Sequence, residues 1–143
     1  FSITRKIFLI VGQNNFDNKI PFSNNFIAGL PSHCKNLTIT LQNHAFAYQG
    51  KSQGTYQIFR FVNERPSWIF KENSKAIWYV PTYDDWAIGD LKDLGAVIRG
   101  LRTTSNHGYL NVFEVPSNKW QYFGKEGWTT PNPNDVIIQC QGK

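Results

Sequence analysis

This sequence predicts an all-β fold, an antiparallel sandwich or open barrel closed by a single disulfide. Three observations carry that expectation. Short apolar runs recur along the chain and are separated by Pro, Gly, Asn and Ser. Aromatic residues make up 15% of it, with 5 Trp, 6 Tyr and 11 Phe, and such rings favour pleated, half-buried surfaces. Helical periodicity is nearly absent. The chain has 143 residues, of which 41% are hydrophobic, enough for the core of one ordinary domain without metals or several staples. The expected organisation is one domain over residues 1–143, with 1–33 as an N-terminal arm or strand and 34–140 as the disulfide-closed β core.

The elements follow in order. Residues 5–11 open the chain as a strand. Residues 13–31 are polar, Asn-rich and irregular, and read as a long loop or arm. Phe16, Ile20, Phe22, Phe26 and Ile27 punctuate it and would pack on the main body. In Asn36–Leu41 the alternation is clean, with Leu37, Ile39 and Leu41 facing in and Thr38 and Thr40 facing out. Gly54–Val62 is a second strand after a turn over residues 50–54. Residues 66–70 and Lys75–Val80 make two more, joined through Glu72, Asn73 and Ser74. Residues 108–115 and 119–123 repeat that arrangement around Pro116, Ser117 and Asn118, and residues 135–140 close the chain. Residues 90–97 hold at most one short helical turn, because Gly89, Gly95 and Gly100 limit its length.

The two cysteines, Cys34 and Cys140, are expected to pair with each other. They are too few for a zinc site unless histidines complete it, and His33, His44 and His107 lack the spacing. A bond closing so long a loop contributes about 4–5 kcal/mol on the entropic account. Asn36-Leu37-Thr38 is a glycosylation acceptor triplet just past Cys34. The chain has no Met and begins at Phe1. Together these read as a mature, secreted, extracellular glycoprotein. No stretch approaches the roughly 20 apolar residues that span a bilayer, so no transmembrane segment is expected.

Net charge is +5, from 15 basic and 10 acidic residues, and the basic residues are scattered. Nucleic-acid binders concentrate Lys and Arg on one face or helix, so nucleic acid is not an expected partner. Weak attraction to anionic glycans or membrane surfaces stays open.

Carboxylates cluster once, from Tyr83-Asp84-Asp85-Trp86 to Asp93. The spacing does not fit an EF-hand loop. A turn in which Asp84 or Asp85 bonds nearby amides is the bland reading, calcium binding the alternative. His107 lies near Ser and Thr hydroxyls but in no nucleophile elbow, so no enzymatic activity is expected unless a cleft joins His107 to Asp84 or Asp85. Aromatics are the unusual asset. Trp78 and Tyr79 are neighbours on a strand and must point to opposite faces. Most such rings are core. A Trp beside carboxylates is also the chemistry of sugar binding, the ring stacking on sugar C–H groups and the carboxylates accepting from hydroxyls. The expected ligand-binding residues are therefore Trp78, Asp84, Asp85 and Trp86, in a non-enzymatic, lectin-like recognition module. The alternative is a carrier of an apolar small molecule or pigment in an aromatic-lined pocket. No metal and no cofactor beyond such a bound organic ligand is expected, and a homo-oligomer remains open.

Several elements carry a resemblance. They are Gly54-Thr55-Tyr56, Arg65-Pro66-Ser67-Trp68, Ala76-Ile77-Trp78-Tyr79, Trp86-Ala87-Ile88-Gly89, Lys119-Trp120, Trp128 and Ile137-Ile138-Gln139-Cys140. Over residues 36–140 the chain resembles β-rich modules of extracellular invertebrate proteins, in which a G-x-Y strand precedes R-P-x-aromatic and a W-x-I-G turn. The resemblance implies an extracellular β module and no defined activity. Those modules often carry a further cysteine before the Lys-Trp element, where this chain has Val115-Pro116.

Overall fold

A computed structural model describes residues 34–104 and 109–141. The expected strand over 5–11, the arm over 1–33, His33 and His107 lie outside the described residues. Among the described residues, nine strands form one antiparallel sheet that curls into a half-barrel. They are β1 Asn36–Leu41, β2 Gly54–Val62, β3 Arg65–Phe70, β4 Lys75–Val80, β5 Asp85–Asp90, β6 Leu101–Thr103, β7 Trp120–Gly124, β8 Gly127–Thr129 and β9 Val136–Cys140. A seven-residue helix, α1 Asn43–Gln49, follows β1. The spatial order is β8-β7-β6-β5-β4-β3-β2-β1-β9, so every strand from β1 to β8 lies beside its sequence neighbour. Only β9 departs from the meander, returning to the outer edge of β1 with Leu37 opposite Cys140 and Leu41 opposite Val136.

The disulfide joins Cys34 to Cys140 across 106 residues. It fastens the chain just before β1 to the end of its edge neighbour β9.

Alternation assigns the two faces. Leu37, Ile39, Leu41, Tyr56, Trp68, Ile77, Tyr79, Trp86, Ile88, Leu101, Trp120, Tyr122, Val136 and Ile138 fill the inner face. Helix α1 and the segment over residues 109–119 cover it, adding Ala45, Val112 and Val115. The outer face carries a smaller cluster of Val62, Ile69, Ala76, Trp78, Val80 and Ala87. Leu91 and Leu94 pack on it from the segment that follows β5. Gly89 makes that approach possible: a Cβ there would stand 3.1 Å from the Arg99 Cα and 3.0 Å from the Trp78 ring. β4 is thus covered on both faces, with Trp78 out and Tyr79 in, as the neighbouring rings require.

Several expectations are corrected. Of the strand expected over residues 108–115, the described part, 109–115, is not a strand. Asn111 caps a 3₁₀ turn over Val112–Glu114 through a reciprocal bond with Glu114, and Val112 and Val115 both turn inward three residues apart. A second 3₁₀ turn at Ser117–Lys119 leads into β7, whose hairpin partner is β8, through Lys125 and Glu126. The segment around Trp86-Ala87-Ile88-Gly89 is a strand, not a turn, and Asp85 to Gly89 are all buried. α1 was not anticipated. It lacks a side-chain cap and acidic or basic end residues, and it rests on Ala45 in the core and Tyr48 stacked on Tyr122 at 6.0 Å.

Candidate functional site

The tip of the β4–β5 hairpin carries the carboxylate cluster. Asp84 adopts a left-handed φ of 51°, which closes a tight turn after Pro81. The pleat then sends consecutive residues to opposite sides of the sheet. Asp84 and Trp86 belong to the inner side. Asp84 Oδ1 accepts from the Tyr79 hydroxyl at 2.5 Å. The Arg65 guanidinium lies 3.6 Å over the Tyr79 ring and donates to the Tyr109 carbonyl at 3.1 Å. Burial first, then the bond to Asp84, raises the Tyr79 hydroxyl above its ordinary pKa of 10.0. Trp86 is fully buried between Trp68 and Tyr79 and donates to the Tyr109 carbonyl at 3.3 Å.

Trp78 is fully buried on the other face and donates to the Ala96 carbonyl at 2.8 Å. Neither Trp78 nor Trp86 presents a ring to a ligand. Both are core, because β4 and β5 are central strands covered on both faces. The four expected ligand-binding residues therefore do not converge: Asp84 and Trp86 serve one face, Trp78 and Asp85 the other. Asp84 and Asp85 likewise form no shared calcium cage. Among the described residues, no group of three or more His, Cys, Asp or Glu is placed to hold a metal.

Asp85 opens onto a second constellation on the outer face. Cross-strand register sets Ala87 opposite Arg102 and Arg102 opposite Gln121. Gln121 Nε2 donates to Thr130 Oγ1 at 3.3 Å, extending the row past β7. Arg99 reaches across from the end of the covering segment, and its Nη2 lies 2.8 Å from Asp85 Oδ2. The two side chains are only 5% and 2% exposed. Three rings frame the cations. The Arg102 guanidinium lies 4.0 Å over the Trp128 ring. The Arg99 guanidinium lies 5.1 Å from the Tyr83 ring and 5.7 Å from that of Trp128. Phe123 meets Trp128 edge-on at 5.4 Å. Tyr83 and Phe123 remain about half exposed.

The electrostatics are unbalanced. Burial raises the Asp85 carboxyl above its ordinary value, while Arg99 beside it pulls the other way. Burial and the neighbouring Arg99 charge lower the Arg102 pKa. Arg99 Nε and Asp85 Oδ1 are buried without a hydrogen-bond partner among the described residues. One carboxylate thus faces two guanidinium groups.

Of this constellation, only Asp85 belonged to the expected site. Arg99, Arg102, Gln121, Tyr83, Phe123 and Trp128 come from four separate stretches, which cross-strand register, the β4–β5 turn and the covering segment bring together. A signal did exist in the lone Arg102 between two inward residues of β6, Leu101 and Thr103, but only once β6 is known to be a strand.

Beyond Thr130, at the margin of this site, an open depression lies between α1, β7 and the β8–β9 connection, lined by His44, Tyr122, Thr130 and Asn132 among others. No helix among the described residues is long and apolar enough to cross a membrane. In comparison with known proteins, no family model matches the chain, no curated protein matches it, and no solved structure matches it.

Proposed function

We propose that this chain is a secreted, non-enzymatic recognition module that binds carbohydrate on the outer face of the β5–β8 half of its sheet. The observation that carries the reading is the pair of half-exposed rings, Tyr83 and Phe123, on either side of a row of hydrogen-bonding side chains, Arg102, Gln121 and Thr130. Sugars offer the complement of such a surface, apolar C–H faces for rings and hydroxyls for fixed polar groups. The platform is pre-organised, since Trp128 supports both Phe123 and Arg102. The roles first assigned to Trp78 and Trp86 pass to these outer rings.

Extracellular placement draws on the Cys34–Cys140 bond, on the resemblance to extracellular invertebrate β modules, and on Asn36, which is exposed at the start of β1 and heads the acceptor triplet. The alternative is a carrier of an apolar molecule. It draws on the same aromatic content, but the inner-face rings that would line its pocket pack on one another, as Trp68, Trp86 and Tyr79 do.

A glycan array followed by Trp-fluorescence titration tests the reading. Tyr83→Ala and Phe123→Ala are expected to weaken glycan binding at least tenfold while leaving the melting temperature nearly unchanged. The absence of binding to any glycan, or full binding by both variants, overturns it.

A further inference from the structure

We infer that the outer-face site takes an anionic group, so that its ligand is an acidic saccharide carrying a sulfate ester or a carboxylate. The inference rests on the carbohydrate reading above and narrows it. Among the described residues, Asp85 is the only carboxylate that forms an ion pair with either arginine, and its Oδ2 is committed to Arg99. Arg102 is left as a half-buried cation that its own neighbours do not neutralise. Its Nε donates to Gln121 Oε1 at 3.0 Å and its flat face lies on Trp128 at 4.0 Å.

Those two contacts fix the plane of the guanidinium, and no hydrogen bond among the described residues engages its Nη1 or Nη2. A planar fork whose two Nη groups are uncommitted matches the paired oxygens of a carboxylate or sulfate. Arg99 lies close to it as a second positive charge, both cations facing the Trp128 ring. The Arg99 side chain is only 5% exposed, and its Nε has no hydrogen-bond partner among the described residues. A cation held in a poorly solvated site beside another cation gains from an incoming anion more than an exposed one does. The rings of Tyr83 and Phe123 then flank the rest of the sugar.

The test uses the full chain and four probes, with Trp fluorescence or calorimetry as the readout. The probes are a sulfated oligosaccharide, its desulfated counterpart, a uronate oligosaccharide and a neutral oligosaccharide. Inorganic sulfate, against chloride at equal ionic strength, is titrated separately. The expected result is at least tenfold tighter binding of the sulfated or uronate probe than of the desulfated and neutral ones. Arg102→Ala is expected to abolish that preference, lowering affinity for the acidic probes at least tenfold more than for the neutral one. Arg102→Lys, which keeps charge but not the fork, is expected to restore only part of it. The melting temperature of each variant guards against a folding defect, and Gln121→Ala, which frees the Arg102 fork without removing it, is expected to reduce the preference on an intact fold.

Equal affinity for acidic and neutral probes overturns this inference and leaves the carbohydrate reading standing. Binding of inorganic sulfate without binding of any saccharide overturns both, because the anion would then not belong to a sugar. An acidic preference that survives Arg102→Ala also overturns the assignment.

Discussion

Asp85 and Arg99 lie 2.8 Å apart with almost no access to water, and each is the other's condition for being there. Removing one partner strands the other's charge in a poorly solvated place. Asp85→Ala is therefore expected to cost about 3–5 kcal/mol in urea denaturation. The double replacement Asp85→Leu with Arg99→Met is expected to cost less than Asp85→Ala alone, since it leaves no uncompensated charge. The tryptophans divide in the same way. Trp78→Ala and Trp86→Ala each remove a fully buried indole and are expected to cost about 3–5 kcal/mol by the same measurement. Phe123→Ala removes a half-exposed ring and is expected to stay within about 1 kcal/mol. Asp84-Asp85-Trp86 stood out as chemistry because the three are adjacent in the chain. On a strand, adjacency separates side chains, so the same observation pointed at two different places at once.

β5 is the element that decides the site, and it was the least legible strand in the centre of the sheet. Its ends are acidic and Gly89 interrupts it, which are turn signals. In the fold the ends are answered across strands: Asp85 by Arg99, and Asp90 by Lys75, whose Nζ lies 2.7 Å from Asp90 Oδ1. The Lys75 bond holds the Asp90 carboxyl below its ordinary value of 3.8. A carboxyl that titrates lower in the folded chain stabilises it above the ordinary value, and that stabilisation is lost as pH falls through the folded value. Melting temperature measured from pH 6 down to pH 2 is therefore expected to fall less steeply in Asp90→Asn than in the parent chain. Gly89 carries a separate expectation. A Cβ there meets the Arg99 backbone and the Trp78 ring at 3.0–3.1 Å, so Gly89→Ala is expected to cost about 1–3 kcal/mol in denaturation and to loosen Arg99 from Asp85. β1, β2 and β4, by contrast, were readable to their ends, because a clean alternation or a continuous apolar run between turn residues leaves little choice.

At the scale of the whole molecule, β9 is the element out of sequence order, and the disulfide holds it. Cys140 is opposite Leu37 in the β1–β9 ladder and bonded to Cys34 just upstream, so the bond fixes both the register and the closure of the chain on itself. The pair Cys34→Ser and Cys140→Ser is expected to lower stability by about 2–5 kcal/mol, read as a drop in the urea midpoint that reductant reproduces in the parent chain. The remaining covers, α1 and the 109–119 segment, have no strong local signal. A seven-residue helix is too short to stand alone, and it exists because Ala45 and Tyr48 have a sheet to rest on.

By itself, the sequence determined the antiparallel β architecture, the cysteine pairing, the opposed rings of Trp78 and Tyr79, and most of the strands from Asn36 to Val80. Those follow from local rules: a period of two, turn residues between apolar runs, and a pair of cysteines with no competing ligands. Only the tertiary structure decided which tryptophans are core, that Asp84 and Asp85 part company, and that Asp85, Arg99, Arg102 and Trp128 meet. The reason is physical. Exposure and cross-strand neighbourhood depend on register and on what covers a face, and both are set by residues far away in the chain.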